Sequence, residues 1–184
     1  WAKNNGAKVI NMSLGYPASY PLETFTNFTS YAELTNSDEN VTIVVASGND
    51  YSTTGISYPA SHPATIAVGA TDVDGIAPYS NQGPKLDLVA PGGNTGEDLH
   101  LSNDGYQDGI LQETYLYSQG TNRWGHYFFQ GTSMATLHVA AAAAILLSKN
   151  GDSDRHQVLS SLSNSALDLG AVGWDGVFGA GLIQ

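Results

Sequence analysis

A serine at the start of a long apolar segment is the residue of this chain best placed to do chemistry. Residues 131–136 read Gly-Thr-Ser-Met-Ala-Thr, and the segment from Thr132 to Lys149 is apolar nearly all round, which predicts a helix enclosed by other elements. The first N–H groups of a helix have no partner within it, and the helix dipole is positive there. Ser133 would therefore generate an oxyanion beside donors that stabilise it. The alternative is an ordinary helix cap.

The elements that would hold this serine are predicted from the hydrophobic pattern. Residues 22–34 carry apolar side chains at three-residue spacing, close to helical periodicity, between two apolar segments. A strand, a helix and a strand in this order imply a right-handed crossover and a parallel sheet. The segments predicted to form buried strands are Ala7–Leu14, Asn40–Ala46, Thr65–Ala70 and Lys85–Ala90.

The expected fold class is α/β, a three-layer sandwich with a mostly parallel sheet and a buried central helix that starts at Ser133. We expect residues 1–184 to belong to one domain, with an insertion at about 94–130 that is rich in Gly, Asn, Asp and Tyr. Within it, Ile110–Tyr117 and His126–Phe129 could pair as a hairpin. A second helix is predicted at Asp154–Ser163, capped by Ser153 or Asp154.

Composition excludes several classes of function. The 184 residues have a formal net charge of −11, which repels phosphate backbones and anionic lipid surfaces, so we expect neither a nucleic-acid nor a membrane partner. The longest apolar run, Val139–Leu147, has nine residues, against roughly 20 for a bilayer span. Cysteine is absent, so the sequence predicts neither disulfides nor a thiolate metal site.

Several segments resemble those of the subtilisin-like serine proteases. GTSMATLHVAAAAAIL, at Gly131–Leu146, is similar to the segment that carries the nucleophile of that family. Companion segments follow the family's order and cover nearly the whole chain apart from residues 94–130. They are Val9–Gly15 (VINMSLG), Ile43–Asp50 (IVVASGND), Tyr58–Asp72, Tyr79–Gly93 and Gly179–Ile183. The chain is therefore identified as the C-terminal part of a subtilisin-like catalytic domain.

The resemblance implies a secreted serine endopeptidase that cleaves polypeptides through an acyl-enzyme on Ser133. It implies that the Asn49 amide and the Ser133 N–H form the oxyanion hole; the alternative for Asn49 is a turn residue. Substrate would lie between two segments, Ser13-Leu14-Gly15 and Ala46-Ser47-Gly48. With an apolar lining and only Asp50 near the rim, we expect large apolar or aromatic residues before the scissile bond, with some tolerance of a basic one.

The partners of the nucleophile are missing from the sequence. The family's Asp and His segments precede the strand that matches Ala7–Leu14, so they would lie upstream of Trp1. His138 points about 140° away from Ser133 on a helix, and no other histidine matches the base. We therefore expect this chain to be inactive alone and to need the upstream part of the same domain as its partner.

Two departures from the family's pattern favour an alternative function. Leu137 stands where the family usually has Pro, and Ala141 where it usually has Gly. The alternative is a catalytically inactive, protease-like binding or scaffolding module. An esterase of the Gly-x-Ser-x-Gly type is not indicated, because no serine here has those neighbours.

The insertion contains a candidate calcium loop. Asp104 and Asp108 alternate with other oxygen-bearing side chains around Gly105, and Ca²⁺ binds six to eight oxygen ligands. His100 and Ser102 depart from that pattern, and a solvated acidic loop is the alternative. The prediction is one structural Ca²⁺ ion held by Asp104 and Asp108.

Overall fold

The computed structural model describes residues 1–17, 19, 41–95, 106–117, 123–151 and 153–184. A short 3-10 helix, Lys3–Asn5, precedes the first strand. The strands are β1 (Val9–Met12), β2 (Thr42–Ala46), β3 (Ile66–Asp72), β4 (Gly75–Ile76), β5 (Leu88–Pro91), β6 (Ile110–Leu116) and β7 (Arg123–Phe129). The helices are α1 (Thr132–Asn150) and α2 (Arg155–Ser165). The helix predicted at residues 22–34 lies outside the described residues.

A parallel sheet forms the centre of the fold, as predicted. The strands β1, β2, β3 and β5 pair in that order and all run parallel, while β4 adds an antiparallel edge to β3. Each residue of β2 is buried, because a central parallel strand is covered on both faces and reads as a continuous apolar run. The parallel direction brings the carboxyl ends of β2 and β3 to one edge of the sheet.

Apolar side chains cover both faces of the sheet. On one face, Val44 and Val68 pack with Val139 of α1 in a single core that also includes residues of α2. On the other face, Ile43 and Val45 pack with loop residues, among them Ile56, and with the C-terminal segment. The alternation along β2 thus divides the core into two layers, and the α/β class is confirmed.

The helix α1 is only partly enclosed, which differs from the prediction. It packs against β1, β2, β3 and β5, but Leu137 is 46% and Ile145 57% exposed, and Ala141 and Ala144 share that outer face. By length and composition alone α1 could cross a membrane, a property that core helices of soluble proteins share. The helix is therefore apolar on two faces. The sheet covers one of them, and no described residue covers the other.

A buried arginine connects α2 to the start of β3. The helix begins with a capping box, in which Asp154 and Gln157 bond each other's backbone N–H groups. The next residue, Arg155, is buried and donates to the carbonyl oxygen of Thr65 at 3.4 Å. It faces Asp87, whose carboxylate accepts the Ala67 N–H at 2.8 Å. Burial raises the pKa of Asp87, and Arg155 partly offsets that rise.

The carboxylate of Asp175 accepts hydrogen bonds within the C-terminal segment. These bonds make the stability of the protein depend on pH. Desolvation disfavours the ionised form of Asp175, but bonds from the N–H groups of Phe178, Val177 and Ala171 outweigh it and lower the pKa. Because the folded-state pKa is below the unfolded value, Asp175 contributes stability above roughly pH 4, and that contribution disappears as the pH falls through the folded-state pKa.

We expect Asp175→Asn to be less stable than the natural protein at neutral pH and to approach it in acid. Asn removes the charge and keeps one of the two acceptor oxygens, as protonation of the carboxyl group does, so the variant imitates the protein in acid. Urea unfolding followed by Trp fluorescence between pH 6 and pH 2 measures the difference, with Asp74→Asn, on an exposed turn, as the control. Parallel stability curves for Asp175→Asn and the natural protein would contradict the expectation.

Candidate active site

Ser133 lies in the first turn of α1, where the chain enters from the sheet through a glycine. Gly131 has a φ of +143°, a conformation that side chains larger than hydrogen rarely adopt. Its N–H donates to the carbonyl oxygen of Gly92, which follows β5, at 3.0 Å. The end of β5 and the start of α1 are therefore held together, and Ser133 is placed at the carboxyl edge of the sheet, where ligands of such sheets bind.

Tyr79 fixes this entry, a role that the sequence analysis missed. Its hydroxyl donates to the carbonyl oxygen of Gly93 at 2.7 Å and accepts the N–H of Gly131 at 3.0 Å. Burial raises the pKa of Tyr79 to about 12, against the lowering effect of the Gly131 N–H. The hydroxyl therefore stays protonated at neutral pH and keeps both bonds.

Asn49 is oriented by the residue that precedes the serine. Its Oδ1 accepts two hydrogen bonds from Thr132, one from the backbone N–H at 3.0 Å and one from Oγ1 at 2.9 Å. Thr132 is fully buried, and its Oγ1 also accepts the N–H of Gly48 at 3.3 Å. Because the carbonyl end of the Asn49 amide is bound to Thr132, the NH₂ end is directed away from α1's first residue. Sequence reasoning assigned no role to Thr132.

The amide nitrogen of Asn49 and the backbone nitrogen of Ser133 lie close to the same point. A Cβ atom added to Gly131 would lie 3.6 Å from Asn49 Nδ2 and 3.7 Å from Ser133 N. Both donors line the same cavity of about 240 Å³. No described residue accepts a hydrogen bond from the Ser133 N–H. Two preorganised N–H donors beside a serine hydroxyl form the arrangement that stabilises a tetrahedral oxyanion.

Most of the residues expected to bind substrate line this cavity. Ser13, Leu14, Gly15, Ala46 and Gly48 do so. Ser13 also bonds across to the nucleophile, because its Oγ donates to the carbonyl oxygen of Ser133 at 2.9 Å.

Ser47 is placed differently from its neighbours. It is fully buried, and its N–H and C=O groups bond Val68 and Ser57. It therefore supports the wall of the cavity from behind. Leu14 and Gly15 make no backbone hydrogen bonds to other described residues, which leaves their edge open to an extended peptide.

No described imidazole contacts Ser133. The Ser133 hydroxyl donates to the carbonyl oxygen of Ser13 at 3.4 Å, and His138 Nδ1 lies 2.9 Å from the carbonyl oxygen of Met134 on the same helix. His62 accepts the N–H of Ala64 and lines a separate cavity. The described part of the chain thus brings a serine hydroxyl and the Asn49 amide to one cavity, and no described imidazole lines that cavity.

Of the two predicted calcium ligands, the structure describes only Asp108. Asp104 lies outside the described residues, and among those described no group of three His, Cys, Asp or Glu side chains could hold a metal. Asp108, however, has an enclosed Oδ2 atom with no hydrogen-bond partner there. Its cavity, of about 420 Å³, is also lined by Asp72. An orphaned carboxylate oxygen is compatible with a cation ligand, so this residue fits a hard cation such as Ca²⁺.

The chain is similar in sequence to proteins of one known family. The model of the Subtilase family matches residues 1–181. Subtilisin BL of Lederbergia lenta is 37% identical over 186 residues, a match that covers 100% of this chain and 57% of that protein. Fervidolysin of Fervidobacterium pennivorans is 32% identical, covering 100% of this chain and 26% of that protein. The chain thus spans about half, or less, of the length of these relatives.

Solved structures give the same result. A lanthipeptide protease superposes with a TM-score of 0.80 at 28% identity, over 99% of this chain and 62% of that protease. A protease from Pseudoalteromonas arctica superposes with a TM-score of 0.78 at 28% identity, over 97% and 49% of the two chains. The similarity therefore extends over the whole described fold.

Proposed function

The chain belongs to the subtilase family, and on that premise we propose that it carries the nucleophile and the oxyanion hole of a serine endopeptidase. The observation that carries the proposal is the double hydrogen bond from Thr132 to Asn49 Oδ1. It directs the Asn49 NH₂ group away from Thr132, and Asn49 Nδ2 and the Ser133 backbone nitrogen lie 3.6 and 3.7 Å from one point, the Cβ position of Gly131. Preorganised donors of this kind are the largest single contribution to catalysis in many acyl-transfer enzymes.

In the proposed reaction, Ser133 Oγ attacks the scissile carbonyl carbon and its proton passes to an imidazole. The carbonyl oxygen becomes an oxyanion held by Asn49 Nδ2 and the Ser133 N–H. Collapse breaks the C–N bond as the imidazolium protonates the leaving amine, and water then hydrolyses the acyl-enzyme with the same base. The polypeptide would lie along the open edge at Leu14 and Gly15.

The upstream part of the same catalytic domain is proposed to supply the base and its aspartate. Two open surfaces support this partner. The outer edge of β1 pairs with no described strand, and Asn11 on it is exposed. The face of α1 that includes Leu137 and Ile145 is apolar, and no described residue covers it. A strand on the first surface and apolar contacts on the second would complete the sheet and enclose the helix.

The inactive-module alternative rests on Leu137 and Ala141, and their positions weaken it. Neither lines the cavity that holds Ser133, and Leu137 is about half exposed. The larger side chain therefore does not enter the cavity beside Ser133, and Thr132 makes both of its hydrogen bonds to Asn49.

The test is complementation of activity. We expect the 184-residue chain to hydrolyse casein at a negligible rate alone and to gain turnover when the upstream residues of its domain are supplied, in cis or as a second polypeptide. Ser133→Ala in the completed protein is the matched control. Turnover by the chain alone that depends on Ser133 would refute the need for a partner, and turnover that persists in Ser133→Ala would refute the function itself.

We also propose that the enzyme is secreted. The acidic composition and the lack of cysteine are compatible with export. An antibody against this chain should detect it in culture medium rather than in washed cells, and confinement to the cells would overturn the proposal.

A structural calcium ion is proposed at Asp108, with Asp104 as a second ligand. The support is the enclosed Oδ2 of Asp108, which has no hydrogen-bond partner among the described residues. The ion would neutralise this carboxylate and join the root of the β6–β7 hairpin to its flanking loop. It would supply no chemistry to the reaction.

We expect EGTA to lower the melting temperature by about 5–11 °C, since a ligand at 100 times its Kd adds about 2.7 kcal/mol and 1 kcal/mol shifts Tm by about 2–4 °C at this size. Differential scanning calorimetry with added Ca²⁺, Mg²⁺ or EGTA measures the shift. Asp108→Asn should lose the response, whereas Asp74→Asn should keep it. An equal melting temperature with and without EGTA would refute the proposed calcium site.

A further inference from the structure

The main chain of Asn49 is not held in place by bonds of its own. Neither its N–H group nor its carbonyl oxygen makes a hydrogen bond to a described residue. Asn49 is exposed and lies in the loop that follows β2. The two bonds from Thr132 orient its side chain, so the neighbouring residues of the loop fix the position of its main chain.

The same loop contains a residue in an unfavourable backbone conformation. Tyr51 has a φ of +59°, in the left-handed region that a bulky side chain rarely adopts. Its ring is 70% exposed, so packing of the side chain does not compensate for the strain. A conformation of this kind persists only where the surrounding structure holds it. One such bond runs from the Tyr51 N–H to the carbonyl oxygen of Tyr79, at 3.1 Å.

The buried amide of Asn81 binds the part of the loop that follows Asn49. Its Oδ1 accepts the N–H of Asp50 at 2.8 Å and the N–H of Ser52 at 3.1 Å. These two residues flank Tyr51, so one oxygen atom bonds the N–H groups on both sides of the left-handed residue. Successive N–H groups of this kind form a concave site for an electronegative atom, and the amide oxygen occupies it.

The same asparagine binds the part of the loop that precedes Asn49. The Asn81 N–H donates to the carbonyl oxygen of Gly48 at 3.0 Å, and Asn81 Nδ2 donates to the carbonyl oxygen of Ser47 at 3.2 Å. This approach requires a glycine, because Gly48 has a φ of +106° and a Cβ atom there would overlap Asn81 Nδ2. Asn81 thus bonds the main chain immediately before and immediately after Asn49.

Both ends of the Asn81 amide are used in these bonds. Besides Ser47, Nδ2 reaches Asp50 Oδ2 at 2.9 Å, while Oδ1 has its two N–H donors. Asn81 is only 1% exposed, so water does not compete for the bonds. Because Oδ1 faces donors and Nδ2 faces acceptors, the network fixes the orientation of the amide. A side chain that lacks either a donor or an acceptor cannot make this set of bonds.

From these contacts we propose that Asn81 is a positioning residue for the oxyanion hole. The inference rests on the proposed function, which gives the Asn49 amide its role. Asn81 does not line the cavity beside Ser133; it acts by holding the main chain around Asn49, while Thr132 holds the side-chain oxygen. Donors to an oxyanion are effective because they are preorganised, and the two sets of bonds together supply that preorganisation.

The test is a cycle of variants in the completed enzyme that combines Asn81→Ala with Asn49→Ala. We expect Asn81→Ala alone to lower kcat by about 10–10² with little change in KM, because a misplaced amide loses much of its effect on the transition state. In the Asn49→Ala background the same substitution should cost about twofold or less, since the group that it positions is already gone. Losses that multiply, or an unchanged kcat in Asn81→Ala, would overturn the inference.

Thr65→Val is the matched control for the loss of buried hydrogen bonds. Thr65 is 2% exposed and its Oγ1 donates to three carbonyl oxygens, but it precedes β3 at the edge of the sheet opposite Ser133. This variant should lower the melting temperature and leave kcat unchanged. An equal fall in kcat for Thr65→Val would show that the effect of Asn81→Ala is a general loss of stability.

A rescue variant covers the case in which Asn81→Ala does not fold. Asn81→Asp keeps an acceptor for the N–H groups of Asp50 and Ser52 but places two carboxylates together, which repel each other. Adding Asp50→Asn restores a carboxylate–amide pair with the roles exchanged. The double variant should therefore have a higher kcat than Asn81→Asp alone, and an equal or lower kcat would contradict the assigned role.

The order of the Asn49 main chain can be measured without turnover. In the completed protein carrying Ser133→Ala, ¹⁵N relaxation should give the Asn49 N–H an order parameter of about 0.85, and adding Asn81→Ala should lower it below about 0.6. Adding Thr65→Val should not change it. An unchanged order parameter in the Asn81→Ala protein would overturn the inference. Failure of the proposed function has a different signature, since Ser133-dependent turnover would be absent while the order parameter still fell.

Discussion

Ser133→Ala is expected to lower kcat of the completed enzyme by about 10⁶. In a subtilisin, a member of the same family, removal of the triad serine costs about that factor, and we expect the same cost for this chain. The physical reason is that the variant removes the oxygen atom to which the proposal assigns the attack on the scissile carbonyl carbon. A residual acceleration of roughly 10³–10⁴ over water should remain from the oxyanion hole and substrate binding.

The measurement is steady-state hydrolysis of a peptide nitroanilide by natural and variant protein. Ser57→Ala serves as the matched control, because Ser57 lines the same cavity without contacting the nucleophile. It should change KM more than kcat. A fall in kcat of less than tenfold for Ser133→Ala would show that another group attacks the substrate.

Asn49→Ala is expected to lower kcat by about 10²–10³ with little change in KM. That range, about 2.7–4 kcal/mol of transition-state stabilisation, is the known cost of removing an oxyanion-hole amide from a subtilisin. The amide bonds an oxygen whose charge develops only in the transition state, so ground-state binding should be spared. Because Asn49 is exposed, its truncation should leave the fold intact.

A second variant tests the orientation of the Asn49 amide while the amide itself is kept. Thr132→Val removes the hydroxyl that bonds Asn49 Oδ1 but keeps the Thr132 N–H, which bonds the same oxygen. We expect a smaller loss in kcat, about tenfold, which is about 1.4 kcal/mol. If Thr132→Val were as damaging as Asn49→Ala, or if both left kcat unchanged within threefold, the assigned orientation of the amide would be wrong.

The sequence predicted the parts of this structure that depend on local pattern. Each of the strands β1, β2, β3 and β5 overlaps an apolar segment predicted to be a strand, and α1 begins at Thr132 as predicted. Buried parallel strands read as uninterrupted apolar runs, which makes them easy to recognise. The hairpin was predicted too, although β7 begins at Arg123, three residues before its expected start.

Contacts between residues far apart in sequence were not predictable in this way. Thr132 meets Asn49 across 83 positions, and Tyr79 meets Gly131 across 52. Asn81 lies 31 positions from Asp50. Each is a common polar residue whose role depends on its partner, so nothing in the local pattern distinguishes it.

The exposed face of α1 shows a second limit of prediction from the sequence. Hydropathy reports that Leu137 and Ile145 are apolar, but it does not report which segment would cover them. The helix pattern was therefore consistent with full enclosure and with the partial packing that the structure has.

The connection between β5 and α1 begins and ends at neighbouring positions in the structure. Gly92 and Gly131 are bonded directly, and the Tyr79 hydroxyl bridges Gly93 and Gly131. The two ends of the connection between β5 and α1 are thus held next to each other. Changes within that connection that preserve its two ends should leave Ser133 in place, so evolution or an engineer can exchange material there.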